Sequence, residues 1–330
     1  MVVATEVSPL PSAVGSTTVV LGAGASRAVS YAHQGGNLSP LDADFFDLLP
    51  RLRNLADNQA KARDWVLSEV GRLPFGRSSL EKSFYTLHLR ALMATTLDVS
   101  LPYTVEEVVL NFVTCMDAAL RAAHSTRTCA HHEKLFDSLS RNDSILTFNY
   151  DLVAERALRT KIDHDEDSFD PGIYGFPSSG YIGPPLLKLH GSSNWILEKT
   201  KFEVRTKSWS QLDDSPNYRA ALGGKGTKFA VFLPFWEKRI ETRPWLSVWR
   251  AATRALKRAT RLISWGYSLP TTDIRTAQLF ELSIGQRAID LCVIDPSPET
   301  AARWRALFPT ARYWRYRSIE EYFAAPPEWT

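Results

Sequence analysis

Ten residues, Thr17 to Ser26 (TTVVLGAGAS), constrain the fold of this chain more than any others. A β-branched apolar run that feeds straight into Gly22-Ala23-Gly24 is how a strand turns onto a helix in nucleotide-binding α/β proteins. Without side chains at Gly22 and Gly24 the backbone can turn tightly and approach a pyrophosphate, while the N–H groups opening the next helix face its negative charge. The dinucleotide fingerprint has a third glycine where Arg27 stands, so the turn alone equally suits an ordinary βα unit.

Four further segments end an apolar run with polar, small or titratable residues. They are SILTFNYD (Ser144 to Asp151), LLKLHGSSNW (Leu186 to Trp195), RLISWGYSLPTTD (Arg261 to Asp273) and LCVIDPSP (Leu291 to Pro298). In an open α/β sheet, ligands bind outside the carboxyl ends of the strands, which is where Asn149, His190, Ser268 and Asp295 project. The pattern predicts one site built by five strands. On the residues alone, Asn149 and Asp151 equally suit an Asx turn and a helix N-cap. His190 before Gly191 equally suits a structural donor, and Asp295 before Pro296 a plain strand end.

Together these segments resemble the sirtuins, and more closely the sirtuin-like NAD hydrolases of prokaryotic antiviral defence. GAGAS looks like the family's Gly-Ala-Gly-x-Ser loop, TFNYD like its Thr-x-Asn-x-Asp segment, KLHGS like its catalytic His-Gly, and GYSL like its Gly-Thr-Ser-Leu turn. The four follow the family's order, with LCVIDPSP as a fifth and weaker match, and the resemblance covers roughly residues 17 to 50, 140 to 200 and 228 to 300. It implies a Rossmann-like α/β fold: a mostly parallel sheet with helices on both faces and an inserted helical subdomain.

The resemblance also implies a reaction, cleavage of the nicotinamide–ribose bond of NAD+ through an oxocarbenium-like sugar. It assigns the pyrophosphate to Gly22, Ala23, Gly24 and Ser26, and the nicotinamide ribose and attacking water to Asn149. His190 is assigned to proton transfer, which imidazole performs near neutrality. Asp151 orders the ribose or the water, and Gly266, Ser268 and Asp295 lie on the adenosine side. The implied biology is NAD+ depletion in phage-infected cells, restrained by homo-oligomerisation or a separate trigger. A defence partner such as a HerA-type ATPase or an Argonaute-like protein goes with it.

Departures from the family pattern are informative too. Deacylating sirtuins carry a zinc module with two Cys-x-x-Cys pairs, whereas Cys115, Cys129 and Cys292 are scattered singly. A structural zinc site needs four grouped S or N ligands, and His131 and His132 beside Cys129 lack a fourth, so no metal is expected and the two histidines read as solvent-facing at a helix end. The deacylases' Asp-Phe-Arg is also absent. Asp42 or Asp44 in PLDADFF stands in for it, or else forms an acidic first helical turn.

The rest of the chain reads as scaffold. Residues 1–16 form a loose tail, and residues 17–330 one NAD-binding domain with a helical insertion over about 51–140 and an irregular segment over about 199–228. Helical spacing marks Arg51 to Leu73, Leu80 to Leu97 and Thr104 to His124, the last opened by a capping box from Thr104 to Glu107. From Lys228 onward, FAVFLPF, RLISWG and LCVID alternate with helices at Pro244 to Thr260 and Asp273 to Gln286, which implies parallel pairing. PETAARWRALF is a further helix, ARYWRY a terminal strand, and Ser318 caps a last short helix.

A chain of 330 residues buries a core without disulfides. Few cysteines, no signal-peptide pattern and no apolar span of membrane length predict a cytoplasmic protein. The formal net charge of +3 is too small to imply a nucleic-acid partner. Arg250, Arg254, Lys257, Arg258 and Arg261 nevertheless fall on one helical face, with Trp245, Trp249, Ala252 and Leu256 on the other; the basic face reads as the solvated side of a covering helix, or else as a surface for an acidic partner protein or a phosphate backbone. Two further readings stand beside hydrolysis: a non-catalytic module whose glycine loop holds NAD or an ADP-ribose derivative, and a nucleic-acid-binding or nuclease component using that basic face. The acidic run Asp163, Asp165, Glu166 and Asp167 reads as solvated, and Trp236 and Lys238 as part of a lid.

Overall fold

A computed structural model of the chain describes residues 15–32, 38–74, 78–124, 128–159, 168–176, 180–198, 201–204, 208–209, 227–231, 240–241 and 244–329. The acidic run at 163–167, Trp236 and Lys238 lie outside the described residues. Nine strands are numbered in chain order: β1 (Ser16–Leu21), β2 (Ser144–Thr147), β3 (Leu186–Lys188), β4 (Gly191–Glu198), β5 (Lys201–Val204), β6 (Thr227–Val231), β7 (Ala259–Trp265), β8 (Asp290–Ile294) and β9 (Arg312–Tyr316). Eleven α-helices accompany them among the described residues: α1 (Ala23–Ala32), α2 (Phe45–Leu48), α3 (Asp57–Gly71), α4 (Leu80–Thr96), α5 (Val105–His124), α6 (Ala130–Asp137), α7 (Val153–Arg159), α8 (Trp245–Arg258), α9 (Ile274–Ile284), α10 (Pro298–Leu307) and α11 (Ile319–Ala324).

Six strands pair in parallel in the order β3-β2-β1-β7-β8-β9. Counted one to six along the chain, that order is 3-2-1-4-5-6, the doubly wound arrangement of dinucleotide-binding folds. Its direction reverses between β1 and β7, where the crossovers leave in opposite senses and right-handed connections send their helices to opposite faces. Accordingly α8 packs on α9 and Phe280 of α9 on Trp304 of α10, while on the other side α6 meets α7 and His131 of α6 lies against Phe323 of α11. Burial on both faces explains why the central strands are continuous apolar runs: Val19, Val20, Leu21, Leu262, Leu291 and Val293 are all buried.

Between β1 and β2 the chain forms helices α2 to α5, with a hydrophobic core of their own that includes Phe45, Val66, Phe84, Leu87 and Phe112. Thr104 and Glu107 close the expected capping box before α5: Thr104 N donates to Glu107 Oε2 at 2.7 Å and Glu107 N to Thr104 Oγ1 at 3.2 Å. Helix α6 belongs instead to the main core through Leu135 and Phe136.

Three expectations fail, each for a local reason. FAVFLPF does not join the parallel alternation; its described part, β6, pairs antiparallel with β4 in a separate sheet of order β5-β4-β6. Strand β4 leaves β3 after only two residues, too few for the crossover that parallel pairing requires, so it peels away and offers new edges. His132 is not solvent-facing: it is buried, with its ring 4.5 Å from that of Trp265. Arg261 is not on the basic helical face, because α8 ends at Arg258 and β7 begins at Ala259 with no loop between them. Its guanidinium lies 5.7 Å from the Trp329 ring, while Arg250, Arg254, Lys257 and Arg258 are exposed.

Candidate functional site

Parallel pairing puts every strand's carboxyl end on one edge of the sheet, and the ladder continues one residue beyond each strand. Leu189 N donates to Thr147 O, Phe148 N to Leu21 O, Gly22 N to Trp265 O, Gly266 N to Ile294 O, and Asp295 N to Tyr316 O, all at 3.0–3.1 Å. Five segments distant in sequence thus emerge from the sheet side by side. Gly22 stands in the middle of that row, at the point where the strand order reverses.

The glycines there are required by how closely two turns of the protein approach each other. A Cβ on Gly22 would lie 2.4 Å from both Gly266 O and Tyr267 Cα, and one on Gly24 2.8 Å from Gly266 Cα. Gly24 N donates to Gly266 O at 3.0 Å. The amides of Gly22 and Gly24 are therefore engaged by the β7 turn, and the edge of the loop turned outward is at Ala23, which is exposed. Since Gly22 has no side chain, Phe148 after β2 and Tyr267 after β7 meet above the end of β1, their rings stacked at 4.0 Å and 17°.

On the β2 side, Asn149 Nδ2 donates to Gly22 O and to Ser26 Oγ, both at 2.8 Å, and Ser26 Oγ donates to Asp151 Oδ2 at 2.7 Å. A carbonyl only accepts, which fixes the amide's orientation. Both of its N–H bonds are used, so the group Asn149 offers a ligand is the acceptor Oδ1. Asp151 also takes the Val153 amide at the start of α7, at 3.0 Å, and so serves the helix end as well as Ser26. Burial pushes its carboxyl up, but His124, Lys188, Ser26 and Val153 more than offset this, and it titrates below the usual range.

Behind Asp151 lies a buried polar network. Lys188 Nζ donates to the Asp151 carbonyl at 2.5 Å and to Glu155 Oε1 at 2.8 Å. Tyr174 OH donates to Glu155 Oε1 at 3.0 Å and accepts from Asn194 Nδ2 at 2.9 Å. Lys188 and Glu155 are both fully buried. Their pairing is the condition on which two charges can be kept there.

His190 follows β3, packed edge-on against Phe148 with ring centroids 5.0 Å apart. Its Nε2 lies 3.1 Å from Asp273 Oδ2, and the same oxygen accepts from Tyr267 OH at 3.2 Å. In the sequence Asp273 reads only as the start of a helix, here α9. It does precede that helix, and its backbone carbonyl takes the amides of Thr276 and Ala277, but its side chain makes no capping bond. That carboxylate reaches across the crevice to His190 instead.

Ser268 and Asp295 lie on the β8 side, where each is engaged by groups of the β8–α10 segment. Ser268 is exposed, and its carbonyl accepts from Arg303 Nε at 2.8 Å. Asp295 Oδ1 accepts from Ser297 N at 2.9 Å, and burial, outweighing its hydrogen bonds and Arg303, raises its carboxyl. Asp44 pairs with Arg27 of α1 at 2.5 Å, while Asp42 Oδ1 accepts the Glu81 amide at the start of α4, 2.7 Å away. The three cysteines are buried singly, and no group of three potential ligands able to hold a metal occurs among the described residues. No helix among them is long and apolar enough to cross a membrane.

No family model and no curated protein matches the chain. Among the solved structures it resembles are Sir2 proteins. One, in complex with an inhibitor, 2′-O-acetyl-ADP-ribose and a deacetylated peptide, is 13% identical, with 94% of this chain and 90% of that one covered and a TM-score of 0.39. A mutant Sir2 homologue bound to ADP-ribose is 16% identical over 94% of each chain, with a TM-score of 0.38. A third, a Sir2 homologue bound to NAD, is 16% identical over 92% of this chain and 85% of that one, at 0.37. At these scores a functional reading has to stand on the residues of the site.

Proposed function

We propose that the chain binds NAD+ across the reversal between β1 and β7 and hydrolyses its nicotinamide–ribose bond, giving nicotinamide and ADP-ribose. The observation that carries this reading is the joining of Asn149, Ser26 and Asp151 with a His190–Asp273 pair at the carboxyl edge of a sheet ordered 3-2-1-4-5-6. The dinucleotide's pyrophosphate lies at Ala23 and the opening of α1, beside Gly22, Gly24 and Ser26. Its adenosine half extends toward Gly266, Ser268 and Asp295.

Each group has a chemical task. Asn149 Oδ1 accepts from the attacking water or a ribose hydroxyl and so orients it. As the C1′–N bond breaks, its electron pair leaves with nicotinamide and the ribose gains positive charge, which the carboxylate of Asp151 and that of Asp273 oppose. The water oxygen bonds to C1′, and His190 accepts the proton released. Catalysis of this kind, unrestrained, empties a cell of NAD+. Together with the motif resemblance, that consequence supports an antiphage role through NAD+ depletion, control by homo-oligomerisation or a trigger, and a partner such as a HerA-type ATPase or an Argonaute-like protein.

The test is incubation of the purified protein with NAD+ and chromatography of the products, beside Asn149→Ala and His190→Ala. Nicotinamide release by the parent, lost in both folded variants, is the expected result. NAD+ binding in a thermal-shift assay with no release under any oligomeric state or partner would reduce the protein to a binding module.

A further inference from the structure

We infer that Asp273 is a positioning residue for His190: its carboxylate reaches across the crevice to fix the orientation and the protonated nitrogen of the imidazole. This builds on the proposed hydrolysis for its kinetic consequence, but the pairing itself can be tested without turnover.

Three features of the structure lead there. First, Asp273 sits where a side-chain cap is worth about 1 kcal/mol, yet its carboxylate makes no such bond and faces His190 Nε2 at 3.1 Å. Second, both partners are buried, with side-chain exposures of 11% for His190 and 4% for Asp273, so water screens the pair little. Third, the loop that delivers Asp273 is tied down at several points. Leu269 holds a left-handed φ of 48°, Asp273 N donates to Pro270 O at 3.0 Å, and Thr272 Oγ1 donates to Glu81 Oε2 of α4 at 2.6 Å. A residue free to wander needs no such anchoring.

The surroundings of the pair act in the same direction. Beside it among the described residues are Tyr267 from the β7 turn, bonded to Asp273, and Tyr150 from the β2 turn, its ring 6.4 Å from that of His190; Glu81 acts on both phenols and Asp42 on Tyr150. Burial, with these carboxylates and Asp273, pushes both phenols up, so they stay neutral. The charge shown beside His190 is then the carboxylate of Asp273. Neutral His190 carries its proton on Nε2, donated to Asp273; when the ring takes a second proton from the attacking water, the imidazolium forms beside an ionised carboxylate. Asp273 itself stays deprotonated throughout, and the extra proton leaves from His190 to solvent.

The experiment uses the full chain labelled with 15N-histidine, as the parent and as Asp273→Asn and Asp273→Glu, each followed by NMR titration and by the rate of nicotinamide release. The parent is expected to show the Nε2–H tautomer at His190, and Asp273→Asn to lower its titration midpoint by about one pH unit. In the same variant kcat falls by on the order of 10²- to 10⁴-fold, with KM within about threefold; Asp273→Glu restores part of the rate. An Nδ1–H tautomer in the parent, or an unchanged midpoint in Asp273→Asn, overturns the inference. Should Asp273→Asn fail to fold, the parent's tautomer still decides. A parent that shows the tautomer and the shift but releases no nicotinamide supports the pairing and removes the hydrolase reading.

Discussion

Replacing Gly266 with alanine isolates the contact between the β1 and β7 turns, provided its two costs can be separated. Gly266 has φ +63°, a region that costs a residue with a Cβ about 1–3 kcal/mol. The new methyl would also lie 2.2 Å from Ala25 N and 2.5 Å from Gly24 C. Both are backbone atoms of the glycine loop, so no side chain can swing away, and overpacking of this sort adds about 1–3 kcal/mol. Gly285 supplies the control. Its φ is +60° with ψ −137°, and the nearest atom to an added Cβ is Glu281 O at 3.8 Å, so Gly285→Ala bears a backbone cost of its own without a clash.

For a chain of this size about 1 kcal/mol corresponds to roughly 2 °C in Tm. Gly285→Ala should melt about 2–6 °C below the parent and Gly266→Ala about 4–12 °C below, in the same calorimetric scan. Only Gly266→Ala should weaken NAD+ binding by titration calorimetry, because only there must the Gly22–Ser26 loop shift. Equal losses of Tm and unimpaired binding in both variants would refute the claim that the two turns pack this closely only because their glycines lack side chains.

Two further substitutions test the buried charges. Lys188→Met leaves Glu155 buried without its cation and should cost about 3–5 kcal/mol in denaturant unfolding, while Lys188→Met with Glu155→Gln should recover more than half of that; an undiminished loss in the double variant would show that packing, not charge, is what the lysine supplies. Burial depresses His132 to about 3, below the roughly 6.5 of an unfolded chain, so the unfolded state binds the extra proton and stability is lost as pH falls from about 6.5 toward 3. Between pH 7 and pH 5 that amounts to about 2 kcal/mol, and His132→Phe should shrink the parent's stability difference over this interval by a similar amount; parallel pH profiles would contradict it.

Where the fold was legible in the sequence, the signal was local. A strand that ends in a small or polar residue at the carboxyl edge writes itself as an apolar run followed by a break, and GAGAS, TFNYD, KLHGS and GYSL all occupy such ends. The capping box at Thr104 and Glu107 is equally local. What escaped was set by partners distant in the chain. Lys188 sits inside because Asp151 and Glu155 meet it there, which nothing in KLHGS announces. Helical spacing ran on through Arg261 because α8 abuts β7 without a loop. His132 looked like a polar helix end until Trp265 came to lie beside it.

Asp273 shows most clearly why residue type at a motif is insufficient. An aspartate before an apolar helix has an adequate explanation as a cap, and sequence reasoning stops at the first adequate explanation. The structure removes it, since the backbone carbonyl alone serves α9 and the carboxylate is directed at His190 and Tyr267. The converse holds at Gly22 and Gly24, where the pyrophosphate motif explained the glycines before their amides proved to be held by β7. In both places the row of strand ends decides: it brings Gly22 beside Gly266 and lets the β7 turn cross above β1 toward β2 and β3. A site assembled this way depends on the register of β1 against β7 as much as on any one side chain, because a shift of one residue there separates Asp273 from His190 and the two glycine turns together.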